Sequence, residues 1–192
     1  MTLRLFVAIE PPDAVRRRLG AMAAELRRLG GRSAGEVRWV APEDVHLTLQ
    51  FLGNAPEERL EEVKGAVAAA ASASRPLHLE VRGAGGFPNA RRPRVIWAGL
   101  SGDVALLGPL VKDLGARLAP LGFPPEDRPF SAHLTLGRAK NGAPGLAGAL
   151  AALEHAEGAS FRVAELVLFR SHLSPKGPTY EAILRAPLGT AP

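Results

Sequence analysis

The sequence His-Leu-Thr-Leu occurs twice in this chain, at residues 46–49 and again at residues 133–136, each time in a short apolar run that predicts a strand. Side chains alternate between the two faces of a strand, so each histidine shares a face with the threonine two residues later, while the leucines point into the opposite layer. Each strand therefore presents one imidazole and one hydroxyl together. Such a repeat indicates a fold in which two similar halves face each other.

The order of the predicted elements also repeats. Strand, helix, motif strand and helix are predicted at residues 3–10, 11–29, 45–52 and 56–74. Two strands at residues 77–81 and 94–100, separated by a Gly- and Arg-rich loop at 83–93, lead into the second half. There a helix, the second motif strand, a short helix and two strands are predicted at residues 102–121, 130–138, 145–155, 161–173 and 179–186. This order predicts an α+β fold of two lobes related by a pseudo-two-fold axis, with residues 1–192 forming one domain and a cleft between the lobes.

Composition excludes several classes of protein. The 192 residues are 46% hydrophobic, enough for a buried core, and contain no cysteine, which excludes disulfides, thiolate metal sites and cysteine nucleophiles. No apolar run approaches the length of about 20 residues that a membrane span requires. The N-terminal apolar stretch is also too short for a signal peptide. We therefore expect a cytoplasmic monomer without membrane association.

The charge of the chain favours a polyanionic partner. The net charge is +5, and lysine occurs only at positions 64, 112, 140 and 176, so arginine supplies most of the positive charge. Guanidinium groups bind phosphate oxygens in a bidentate manner, which suits RNA or a nucleotide. An equally weighted alternative is that the arginine content reflects GC-rich coding or a hot habitat.

The two motifs together could carry metal-free phosphoester chemistry. One of His46 and His133 could deprotonate the attacking oxygen while the other protonates the leaving oxygen, and Thr48 and Thr135 could donate hydrogen bonds to the non-bridging phosphate oxygens. Neither motif has a neighbouring acidic residue or second histidine at metal-ligand spacing, so no metal and no cofactor are predicted. The chain also lacks the Gly-x-Ser-x-Gly of serine hydrolases and the phosphate-binding loop of nucleoside-triphosphate enzymes.

The chain resembles the 2H phosphoesterase superfamily, and within it the RNA 2′,3′-cyclic phosphodiesterases also called 2′-5′ RNA ligases. The resemblance covers nearly the whole chain and depends on residues 4–9, the extended first motif at 46–53, the second motif through Arg138, and residues 169–173 and 177–181. One difference is Ala132, where the family usually has proline before the second motif histidine.

The resemblance implies a bilobal fold of two antiparallel sheets flanked by helices, with the two motifs facing each other across the cleft. It also implies that RNA ending in a 2′,3′-cyclic phosphate is opened to a 2′-phosphate, and that ligation to a 5′-hydroxyl gives a 2′-5′ linkage. His46 would then be the acid that protonates the leaving 3′-oxygen, and His133 the base that activates water. The residues themselves do not order these two roles.

Four further residues are candidates for RNA binding. By strict alternation Arg138 lies on the face opposite to His133, so it reaches the phosphate only if the strand bulges or ends there. Phe51 could stack on a base or pack in the core. Arg91 and Arg92, in the predicted loop, could contact the RNA backbone or simply be solvated.

Two other functions remain open. A phosphodiesterase for small cyclic nucleotides would use the same chemistry, but its affinity would not rise with oligonucleotide length or fall steeply with salt. A non-catalytic RNA-binding module would not need a paired acid and base, and the two complete motifs argue against it.

Overall fold

The computed structural model describes residues 1–174 and 177–189 of the chain. Its strands are β1 Thr2–Ile9, β2 Val37–Trp39, β3 Leu47–Pro56, β4 Leu77–Phe87, β5 Val95–Gly102, β6 Leu134–Ala139, β7 Glu157–Val163, β8 Glu165–Ser174 and β9 Gly177–Pro187. Its α-helices are α1 Asp13–Gly30, α2 Leu60–Ser72, α3 Val104–Leu118 and α4 Ala147–Ala152. None of these helices is long and apolar enough to cross a membrane.

The strands form two antiparallel sheets. The first sheet has the order β3-β1-β8-β9, and the second sheet has the order β2-β6-β5-β4-β7. Each sheet contains one motif strand, β3 in the first and β6 in the second, and these two strands approach each other. The predicted α+β fold with two antiparallel sheets, flanking helices and duplicated motifs is confirmed.

Helices cover one face of each sheet. Helix α2 packs against β8, β9 and α3, whereas α1 packs against β7 and α4. The start and end of α1 follow from its sequence: Pro12 precedes the helix, Asp13 lies in its first turn where a negative charge is favoured, and Gly31 follows its last residue with a positive φ of 52°. The motif leucines Leu47 and Leu134 are buried in the same hydrophobic core as these helices.

Three predicted boundaries are wrong. The predicted strand at 161–173 is two strands, because the chain passes at Ala164 from β7 in the second sheet to β8 in the first. Strand β4 continues through Phe87 into the segment predicted as a loop, since a bulge at Gly83, whose φ is +71°, keeps the strand paired with β5. Each motif histidine lies just before its strand rather than within it.

Candidate active site

The two motif histidines are held in the same way. The Nδ1 atom of His46 lies 2.7 Å from the carbonyl oxygen of Asp44, and the Nδ1 atom of His133 lies 2.7 Å from the carbonyl oxygen of Ser131. A carbonyl oxygen can only accept a hydrogen bond, so Nδ1 carries the hydrogen in both rings. The Nε2 atom of each ring is therefore the one left to give or take a proton.

Both motif strands bulge at the second leucine. Residues Thr48 and Gln50 oppose consecutive residues of β1, so Leu49 is the extra residue in β3. In the same way Thr135 and Gly137 oppose consecutive residues of β5, so Leu136 is the extra residue in β6. A bulge shifts the alternation of side chains by one position, which brings the third residue after each threonine onto the threonine face.

The bulges determine which residues reach the cleft. The residues three positions after the threonines are Phe51 and Arg138, and both line the cleft together with the threonines. The sequence predicted that Arg138 reaches the phosphate only if its strand bulges or ends there, and the strand does bulge. The two residues hold corresponding positions in the repeat, although one is aromatic and the other cationic.

The cleft between the motif strands has a volume of about 520 Å³. Its lining includes His46, Thr48 and Thr135. His133, just before β6, is not among the lining residues. Within the part of the chain that the structure describes, neither threonine hydroxyl makes a hydrogen bond. Both hydroxyls are therefore available to a bound phosphate.

The two imidazoles have different neighbours. His46 packs on aromatic rings of the first sheet, with ring centroids 4.8 Å from Phe6 and 5.1 Å from Tyr180. Phe6 belongs to a small apolar cluster with Ala8, Val167 and Phe169. His133 instead contacts Phe87 edge to face at 5.0 Å. Several aromatic rings thus surround His46, whereas Phe87 is the one ring that contacts His133 among the described residues.

The surroundings of His46 favour its neutral form. Burial lowers the pKa of the His46 imidazole below its ordinary value, and the positive charge of Arg138 lowers that pKa further. The hydrogen bond to the Asp44 carbonyl and the charge of Glu10 act in the opposite direction without reversing the shift. An anionic phosphate in the cleft would raise this pKa again, because it stabilises the imidazolium.

Replacing Arg138 with glutamine is expected to raise the pKa of His46, because the substitution removes a nearby positive charge. NMR titration of the His46 ring protons measures this shift. The Arg170→Gln variant is the control, since Arg170 lies in β8 beside Phe169 and Ser171 but is not among the charges that act on His46. An unchanged or lowered pKa in Arg138→Gln would contradict this account of the electrostatics.

Arg16 hydrogen bonds to the turn that precedes His46. This turn is a short 3-10 helix at Pro42–Asp44, and Nη1 of Arg16 donates to the carbonyl oxygen of Glu43 at 2.9 Å. Arg16 also pairs with Glu10 at 3.2 Å and with Asp13 at 2.8 Å. Helix α1 thus directs the Arg16 side chain toward this turn.

The Arg16→Gln variant is expected to lose about 1.5–3 kcal/mol of unfolding free energy, the usual contribution of a hydrogen bond made by a charged group. Urea denaturation followed by circular dichroism measures the loss. The neighbouring Arg17 is exposed, and Arg17→Gln should change the unfolding free energy by less than about 0.5 kcal/mol. Equal stabilities of the two variants would show that the hydrogen bond from Arg16 to the turn contributes nothing to the free energy of unfolding.

The remaining predicted residues are placed less centrally. Phe51 lines the cleft with 50% of its surface exposed. Arg91 and Arg92 are exposed in the turn after β4, where their backbone N–H groups donate to Asn89, and they do not line the cleft. Their contact with RNA stays a prediction. Among the described residues, no group of three or more His, Asp or Glu side chains could hold a metal ion.

Sequence reasoning did not single out Arg4 and Tyr180 as site residues. Arg4 on β1 and Tyr180 on β9 both line the cleft. Burial and the neighbouring Asp44 raise the pKa of the Tyr180 phenol, so the phenol stays protonated and can donate a hydrogen bond. Both lie in segments that carry the family resemblance, which was the available signal.

Comparison with known proteins shows which family the chain belongs to. The family model described as LigT like Phosphoesterase matches residues 9–97 and 101–180. A Methanothermobacter thermautotrophicus protein named RNA 2′,3′-cyclic phosphodiesterase is 33% identical over 182 residues, which cover 94% of this chain and 96% of that protein. A crystal structure from Thermus thermophilus aligns with a TM-score of 0.80 at 32% identity and covers 98% of this chain and 99% of its own. The structure of E. coli LigT complexed with 3′-AMP aligns with a TM-score of 0.72 at 26% identity, covering 98% and 99%.

The fold and the family match place this chain in the class of the 2H phosphoesterases. The family match covers residues 9–97 and 101–180 and shows that this chain belongs to the LigT-like phosphoesterase family.

Proposed function

We propose that this protein hydrolyses RNA 2′,3′-cyclic phosphate ends to 2′-phosphates without a metal ion, using His46 and His133 as the acid and base. The observation that carries the proposal is the equivalent hydrogen bond in both motifs, which leaves the Nε2 atom of each ring to exchange a proton. The names of the relatives support the substrate class, since the protein from M. thermautotrophicus is called an RNA 2′,3′-cyclic phosphodiesterase.

In the proposed reaction, His133 takes a proton from water as the water oxygen attacks phosphorus. The bond between phosphorus and the 3′-oxygen breaks, and His46 gives its Nε2 proton to that oxygen. The order of the two roles comes from the family resemblance. This order requires His46 to be protonated in the complex. Burial lowers the pKa of the free imidazole, and the charge of the bound phosphate would raise that pKa again.

The threonines and Arg138 would stabilise the transition state. Hydroxyls from Thr48 and Thr135 approach the cleft from the two sheets and can donate to the two non-bridging oxygens, where negative charge accumulates. The guanidinium of Arg138 adds a positive charge in the same cleft, as does that of Arg4.

The aromatic rim of the cleft would hold the terminal nucleoside. Phe51 has half of its surface exposed, an unusual state for a large apolar side chain, and it lies on the same face as Thr48. A base stacked on an aromatic ring contributes about 1–3 kcal/mol regardless of base identity. The E. coli relative crystallised with 3′-AMP supports a nucleotide carrying phosphate at its ribose as the ligand.

The same site would also support ligation. If a 5′-hydroxyl takes the place of water, the attack forms a 2′-5′ phosphodiester and releases the same 3′-hydroxyl, with the same two proton transfers. No further co-reactant is needed, because the strained cyclic phosphate is already activated.

The test is incubation with a short RNA ending in a 2′,3′-cyclic phosphate, in the presence of EDTA, with the product identified by mass and by phosphatase sensitivity. A 2′-phosphate product supports the proposal, and a 3′-phosphate product or none from folded protein overturns it. Repeating the assay with a cyclic mononucleotide at several salt concentrations identifies the substrate size. An RNA enzyme gains affinity with oligonucleotide length and loses it with salt, and a small-molecule enzyme does neither.

A further inference from the structure

A second depression lies beside His133, on the face of the second sheet that carries Thr135. We call it the Trp97 groove, and define it by Gly85, Trp97, Gly99, Ala132 and Ala151, which are among the residues that line its volume of about 620 Å³. Trp97 of β5 is paired directly with Thr135 of β6 on one side and with Gly85 of β4 on the other. The groove therefore lies next to the second motif.

The Trp97 indole packs against the backbone of Gly85 and the ring of Phe87, which lies 5.3 Å away between ring centroids. A Cβ atom on Gly85 would overlap the Trp97 ring, so the indole lies directly on the glycine backbone. The indole nitrogen is buried and has no hydrogen-bond partner among the described residues. The exposed part of the ring is therefore carbon, which suits stacking against a nucleobase better than hydrogen bonding.

The proposed direction of attack assigns the groove and the cleft to different nucleosides. In an in-line displacement at phosphorus, the attacking and leaving oxygens lie on opposite sides. In the proposed reaction, the leaving 3′-oxygen belongs to the nucleoside of the cyclic phosphate and faces His46, which lines the cleft together with Phe51 and Tyr180. The attacking oxygen faces His133, and Ala132 next to it lines the Trp97 groove.

We propose that the Trp97 groove is the subsite for an acceptor nucleoside, whose base stacks on Trp97 and whose 5′-hydroxyl replaces water next to His133. The inference rests on the proposed function. His133 takes the 5′-hydroxyl proton, the 5′-oxygen forms a bond to phosphorus, the bond to the 3′-oxygen breaks, and His46 protonates that oxygen. The products are a 2′-5′ phosphodiester and a free 3′-hydroxyl, so atoms and charges balance without another reactant.

Charge at the groove fits an acceptor that is part of a longer strand. Arg82 lines the groove and is exposed, so its guanidinium can contact a phosphate on the 3′ side of the acceptor nucleoside. Glu154 also lines the groove, which limits the attraction for phosphate to the end near Arg82. A stacked base next to a phosphate contact is the usual arrangement at a single-strand nucleic-acid subsite.

The test compares two alcohols as acceptors in competition with water. One is 2′,3′-O-isopropylideneadenosine, whose free ribose hydroxyl is the 5′-hydroxyl, and the other is methanol, which needs no subsite. An RNA with a 2′,3′-cyclic phosphate is the donor, and mass spectrometry measures the nucleoside adduct, the methyl ester and the 2′-phosphate. We expect the nucleoside adduct to form with saturation and to exceed the methyl ester at equal concentrations.

Two neighbouring alanines provide a matched pair of variants. Ala151 and Ala152 are both exposed at the end of α4, but Ala151 lines the groove and Ala152 does not. The Ala151→Phe variant should lower nucleoside transfer relative to both hydrolysis and methyl-ester formation by roughly tenfold, the loss expected for one base stack. The Ala152→Phe variant should leave the three products in their original ratio.

Two results would overturn the inference while the proposed function stands: equal reactivity of the nucleoside and methanol per mole, or an Ala151→Phe effect that scales all three products alike. Absence of the 2′-phosphate in water alone would instead overturn the proposed function, and the inference with it.

Discussion

Replacing His46 or His133 with alanine is expected to lower the turnover of RNA 2′,3′-cyclic phosphates by about 10²–10⁴-fold, the usual contribution of a general acid or base. The fold should survive, because neither imidazole belongs to the hydrophobic core, and among the described residues each ring hydrogen bonds only to a backbone carbonyl just before its strand. Single-turnover rates with a saturating cyclic-phosphate RNA measure the effect on chemistry, and circular dichroism checks the fold.

The His155→Ala variant is the control, because His155 is exposed after α4 and is not a residue of the cleft. Its turnover should match that of the unmodified protein. The double variant His46→Ala/His133→Ala should be little slower than either single variant, since groups that act as a unit are not additive. Turnover near the original level in either single variant would end the two-histidine mechanism.

Replacing Thr48 or Thr135 with valine is expected to lower kcat by about 10²–10³-fold, the range for losing one donor to a developing negative charge. Valine keeps the shape of threonine and removes the hydroxyl, so the packing around the motif leucines should not change. Serine at either position restores the hydroxyl and should recover most of the activity. Steady-state kinetics with the cyclic-phosphate RNA separate kcat from KM.

The Thr2→Val variant, at an exposed position on β1, is the control for a general effect of the substitution. A donor that acts in the transition state lowers kcat and kcat/KM together. An increase in KM at unchanged kcat would instead assign the hydroxyls to ground-state binding. Equal activity of the serine and valine variants would remove the hydroxyls from the mechanism.

The repeat was sufficient to propose the motif residues of the candidate site, because a four-residue pattern with period two fixes which side chains share a face. His46 and Thr48, and likewise His133 and Thr135, needed no information from distant residues. The bulges at Leu49 and Leu136 could not be predicted, since a bulge exists only relative to a partner strand, and the sequence does not give the register with β1 or β5.

Other features depend on segments that are far apart in the sequence. Arg4 and Tyr180 enter the cleft because β1 and β9 lie on either side of β8 in the first sheet. Arg16 reaches the turn before His46 from another element, at a separation of 27 residues from Glu43. The division at Ala164 was missed because Ala164 is the only residue between β7 and β8 and is not a turn-forming type, although the chain changes sheets there.

The common arrangement of the two motifs has a consequence for the direction of the reaction. In an in-line displacement, the entering and departing oxygens lie on opposite sides of the plane formed by the three other oxygens on phosphorus. The protein places an imidazole with the same hydrogen bond in each motif. The reverse reaction uses the same groups as the forward reaction, with the acid and the base exchanged. Under the proposed mechanism, the same two imidazoles would therefore also cleave a 2′-5′ linkage, with the 3′-hydroxyl as the attacking group and the cyclic phosphate as the product.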